Sequence, residues 1–92
     1  MIMSNLNSFQ QVIDELGSSF DSHDFIIGLL RRFPEEYGAY LIKYGKVNTA
    51  DGGISSCLER NADTLGIRKT GETKSENILR NDSECAAWEK IR

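Results

Sequence analysis

The run DSHDFIIGLLRRFPEEYGAYLIKYG, residues 21–45, decides how this chain folds. Asp21-Ser22 is a helix start signal, because short polar side chains there accept the free amides of a first turn. Phe25, Ile26, Leu29, Leu30 and Phe33 then form a wide apolar stripe at helical spacing. Arg31 and Arg32 stand near its C-terminal end, where the helix dipole favours cations. Pro34 has no amide hydrogen and so interrupts this helix, yet it suits the first position of a new one. Glu35 and Glu36 fall in the new first turn, Tyr37, Tyr40, Leu41 and Tyr44 make its buried stripe, and Gly45 closes it. The pattern predicts two helices, 22–33 and 34–44, joined by a sharp corner.

Upstream, Ser8 and Gln11 fit a capping box, followed by Phe9, Val12, Ile13 and Leu16 at helical spacing and by Gly17. A short amphipathic helix over 8–16 is expected. Downstream, Gly45 to Gly53 reads as a polar loop, with Asn48, Thr49 and Asp51 as turn residues. A further helix is expected from about Gly53 to Thr64, its buried side marked by Ile54, Cys57, Leu58 and Leu65. The glycines Gly52-Gly53 weaken its first turn. After Gly66 the period moves towards 2. Residues 67–70 read as a short strand, 71–77 as polar and turn-rich, and 81–83 as another turn. The segment 84–91 fits a closing strand or a short helix, since Trp88 and Ile91 are three apart.

The chain has 92 residues, 39% hydrophobic and 27% charged, which fits one modest globular domain. One proline and 8 glycines exclude collagen-like and low-complexity classes, and no apolar run is long enough for a membrane span. The net charge of −3 disfavours nucleic-acid binding through bulk charge but permits a local basic patch. Met1–Asn5 shows neither a basic nor an apolar leader region, so a cytoplasmic protein with reduced thiols is expected, without a membrane partner.

The order is helix, corner, helix, polar loop, helix, basic strand, long polar loop and aromatic terminal segment. It resembles a winged helix-turn-helix domain, over roughly residues 22–91. The fold class expected is mostly α (α+β), with three to four helices and a C-terminal β-hairpin, winged-helix-like, after an N-terminal helical extension over 1–21. The resemblance implies that helix 54–65 is a recognition helix and that 71–82 lies in a wing. Two features depart from the pattern. The connection before helix 54–65 is longer than the usual 3–4-residue turn. That helix is also nearly neutral, with Arg60 offset by Glu59 and Asp63.

Candidate chemistry is sparse. His23 is the single histidine, beside Ser22 and Asp24, and reads as a solvated first-turn residue. Cys57 and Cys85 both read as core thiols rather than nucleophiles. No CxxC, HxxxH or HExxH occurs, and one histidine with two scattered cysteines makes no tetrahedral zinc site without carboxylate help. Adjacent acidic pairs such as Glu35-Glu36 diverge around a helix. Catalytic residues, metal and cofactors are therefore not expected, and neither is an enzyme.

Nucleic-acid contact has a local basis. Residues 66–80 hold Arg68, Lys69, Lys74 and Arg80 against Glu72 and Glu76, a balance of +2. Such a cluster could neutralise phosphates as a wing over 68–80. Ser55, Ser56, Arg60 and Asn61 could reach base edges from the helix. The expectation is a small regulator contacting double-stranded DNA through these eight residues. The alternative is an acidic module binding a protein partner or a second copy of itself, with the tyrosines as an aromatic surface. Charge placement separates the two: cations sharing one face favour DNA, and cations interleaved with Glu59, Glu72 and Glu76 favour protein.

Overall fold

The computed structural model describes residues 6–91. Met1–Asn5, where the leader was judged, and Arg92 lie outside the described residues. In chain order the elements are α1 (Leu6–Glu15), β1 (Ser19–Asp21), α2 (Ser22–Arg32), α3 (Pro34–Tyr44), α4 (Val47–Arg60), α5 (Ala62–Leu65), β2 (Ile67–Glu76) and β3 (Asp82–Lys90). The fold is α+β and mostly helical, with the C-terminal hairpin that the sequence predicts. Among the described residues the three strands form one antiparallel sheet, ordered β1-β3-β2.

The corner at Pro34 forms as read. Asp21 caps α2: its carboxylate accepts the Asp24 amide at 2.8 Å, and the Asp24 carboxylate accepts the Asp21 amide at 3.1 Å. Two of the otherwise unpaired amides at this helix start are thereby satisfied. Phe33 ends α2 by donating its amide to the Leu29 carbonyl at 2.8 Å, and Pro34 opens α3 at a position needing no amide. Gly45 closes α3 in the left-handed region at φ 77°, where a side chain would be strained.

Three local expectations are corrected. Ser8 is not a cap. It lies buried inside α1, and its hydroxyl donates to the Glu36 carboxylate at 2.6 Å. The expected loop Gly45–Gly53 is mostly helix, since α4 starts at Val47 and runs through both glycines. Its apolar stripe begins at Ala50, fully buried, and continues through Ile54, Cys57 and Leu58. Gly53 is required there: a Cβ at this position would lie 2.5 Å from Cε2 of Tyr44. Tight α3–α4 packing outweighs the helix-propensity cost of glycine, about 1 kcal/mol per residue. The third correction concerns the hairpin. Residues 71–76 continue β2, and the turn narrows to 77–81. Beyond Ile67, β2 buries no residue, so the alternation that marks a strand is missing from its sequence.

No pattern in the sequence predicts the three-residue strand β1. It pairs Phe20 opposite Trp88. Segment 84–91 is a strand through Lys90, held between β1 and β2, and Ile91 is half-exposed, so the helical spacing of Trp88 and Ile91 carries no buried face. Trp88 is buried and donates its indole N–H to the Ser22 hydroxyl at 3.0 Å. Phe9 of α1 meets Phe25 of α2 edge-to-face at 4.8 Å, so the N-terminal helix shares the core of the rest. Among the described residues no helix is long and apolar enough to cross a membrane.

Candidate functional site: a cleft between helix α4 and the hairpin

Because α4 leans on α3 while β2 and β3 pack over the start of α2, a cleft of about 340 Å³ remains between α4 and the hairpin. Asn48, Asp51, Ser55 and Glu59 line its helical wall. Lys69, Glu72 and Glu84 line the hairpin wall, and His23, Cys85 and Trp88 lie at the base. Among the described residues four carboxylates thus surround a single ammonium, and the cleft is acidic.

Asp51 belongs to α4 rather than to a turn, and its carboxylate accepts the Tyr37 hydroxyl at 2.8 Å. Burial pushes the Asp51 carboxyl above its ordinary range, against the lowering effects of that hydrogen bond and of His23. Burial likewise pushes the Tyr37 hydroxyl up, reinforced by its hydrogen bond to Asp51 and by the charge there.

His23 is buried, not solvated as expected. The hairpin closes over the first turn of α2, and both ring nitrogens find hydroxyls: Nδ1 lies 2.8 Å from Ser75 Oγ and Nε2 3.3 Å from Ser83 Oγ. Ser75 Oγ is also 3.8 Å from Cys85 Sγ. Cys57 is buried as read, but Cys85 is only half-buried. One ligand atom each from Asp21, His23 and Cys85 falls within 4.8 Å of the others, so these three residues could hold a metal ion. Asp21 thereby supplies the carboxylate help, brought beside His23 and Cys85 by the pairing of β1 with β3.

The eight residues expected at DNA are distributed over the cleft, the exposed side of α4 and the length of the hairpin. Ser55 and Lys69 face each other across the cleft. Ser56 and Arg60 are exposed on α4 and share a shallow depression with Glu59. Asn61 turns back, its amide donating to the Cys57 carbonyl at 2.8 Å. Arg68 pairs with Glu89 across the sheet. Lys74 is exposed and registers opposite Glu84. Arg80 lies in the turn at φ 66°, 3.8 Å from Glu76. Arg68 and Arg80 therefore sit near opposite ends of a hairpin that spans roughly 30 Å at ~3.3 Å per residue.

Sequence reasoning missed His23, Ser75, Ser83, Tyr37 and Asp51 as members of one site. Their contacts join positions fourteen to sixty residues apart, which no local spacing records. Comparison with protein family models, with curated proteins and with solved structures finds no match to this chain.

Proposed function

We propose that this chain is a protein-interaction module whose acidic cleft takes a cationic segment of a partner protein. One observation carries the reading: Asp51, Glu59, Glu72 and Glu84 line a single cleft with Lys69 as its one ammonium among the described residues. The cations elsewhere on the hairpin support it, because Arg68 and Arg80 are paired with Glu89 and Glu76 rather than presented together. Surface pairs of this kind contribute little stability, but they cancel the local field that would draw in phosphates. A lysine or arginine stem would lie along Trp88 and Ala86, with its charged head among the carboxylates. Of the four carboxylates Asp51 is half-buried, and the three glutamates are exposed, open to an incoming cation.

Fluorescence anisotropy with a labelled lysine- and arginine-rich peptide tests this over a salt series. Binding that weakens with salt and is lost in the double variant Glu59→Lys, Glu72→Lys is the expected result. A peptide that binds both proteins equally, or neither, overturns it.

Duplex DNA remains a second reading with its own support. The connection between α3 and α4 is two residues, Gly45 and Lys46, rather than the long loop expected. One departure from the winged helix-turn-helix outline is thereby removed. On this reading α4 enters the major groove and the hairpin touches phosphates. A labelled duplex in the same titration separates the two. Salt-sensitive duplex binding, abolished when Arg68, Lys69 and Lys74 are replaced by Glu, would favour DNA over the cationic peptide.

A further inference from the structure

A second kind of site shares the floor of the cleft, where His23 and Cys85 meet Asp21. We infer that Asp21, His23 and Cys85 bind a divalent transition-metal ion of the zinc type.

The donor set argues for this chemistry. A thiolate and an imidazole are the ligands that zinc and cobalt(II) prefer, whereas magnesium and calcium take oxygen ligands. The charges also close: one carboxylate and one thiolate balance a 2+ ion, with the imidazole neutral. Binding breaks the Cys85 S–H bond, forms the metal–sulfur bond and releases that proton to solvent. No oxidation or reduction is involved.

Geometry supports the same assignment. The three ligand atoms lie within 4.8 Å of one another. Tetrahedral zinc with these ligands needs separations of roughly 3.4–3.6 Å, reached by side-chain rotation of about 1 Å each. Asp21 uses Oδ1 to cap α2, and a carboxylate has a second oxygen to offer. His23 has a serine hydroxyl on each nitrogen. Whichever nitrogen ligates, the other keeps a hydroxyl that fixes ring and tautomer, as ligating histidines need. The surrounding backbone is well tied. Asp21 is at once the last residue of β1, paired with Ala87, and the cap of α2, while Cys85 lies on the central strand opposite Thr73. Three protein ligands leave a fourth position for water or for a donor from a partner.

Cobalt(II) titration of the full reduced chain tests the inference, with Cys57→Ser as the background so that the buried thiol cannot contribute. The expected result is a near-ultraviolet sulfur-to-cobalt charge-transfer band saturating at one ion per chain, bleached by zinc. Cys85→Ser should lose the band. Asp21→Asn keeps a capping side chain, so it should fold while binding at least about tenfold more weakly. Zinc should raise the thermal midpoint of the background protein and leave that of the Cys85→Ser form unchanged. Absence of the band in a protein that is folded by circular dichroism overturns the site. A band that Asp21→Asn leaves at unchanged affinity overturns it equally. If Cys85→Ser unfolds, Cys85→Ala serves as the second thiol deletion.

Discussion

The Tyr37 hydroxyl donates to the Asp51 carboxylate at 2.8 Å, and this bond ties α3 to α4 beyond the two-residue turn that joins them. Tyr37→Phe should leave the half-buried carboxylate without that donor and cost about 1–3 kcal/mol by chemical denaturation. It should also move the Asp51 carboxyl further up, because that hydrogen bond is the larger of the two influences, with His23, that lower it against burial.

The same pair sets a dependence on pH. The Asp51 carboxyl is raised on folding, so the folded state holds its proton more tightly than the unfolded one. Its contribution is most favourable at low pH and declines as pH rises from the ordinary aspartate value through the raised one. Asp51→Asn should therefore flatten that limb of the stability curve. The Tyr37 hydroxyl is also raised, so its contribution is intact below the ordinary tyrosine value near 10 and falls above it. Tyr37→Phe should remove that alkaline loss. Denaturant midpoints measured across pH in the three proteins check both signs.

Gly52 and Gly53 are neighbours in α4 with opposite expectations. Nothing lies within 4 Å of a Cβ added at Gly52, whereas one at Gly53 meets the Tyr44 ring. Gly52→Ala should stabilise by about 0.5–1 kcal/mol through helix propensity. Gly53→Ala should destabilise by about 1–3 kcal/mol, because the Tyr44 ring must leave its place. Thermal unfolding of the two single variants decides it; equal effects would mean that Tyr44 moves freely.

Trp88 is the buried residue of the central strand and reaches both the helical layer and the cleft base. Trp88→Ala should cost about 3–5 kcal/mol. Trp88→Phe should cost less, but it leaves the buried Ser22 hydroxyl without the indole donor. Urea denaturation of both variants measures the difference.

The helices were legible where apolar spacing and start or stop residues agreed, as from Asp21 to Gly45. They were misread where packing overrode propensity, as at Gly53, whose missing side chain makes room for Tyr44. The hairpin was underread because β2 exposes nearly its whole length, so no alternation recorded it. β1 is three residues long, too short for any periodic signal. The site was the least legible part. His23 meets Ser75 and Ser83, and Tyr37 meets Asp51, through tertiary contact that spacing along the chain does not encode.

The strand order β1-β3-β2 has a kinetic consequence. Phe20 and Trp88 pair across roughly seventy residues, whereas β2 and β3 are joined by a short turn. Closing the longer loop costs about 2 kcal/mol more in chain entropy than closing the hairpin. Loop closure therefore favours early formation of the hairpin and late docking of β1. Asp21 belongs to β1, so on that order the Asp21–His23–Cys85 constellation is among the last contacts to be completed.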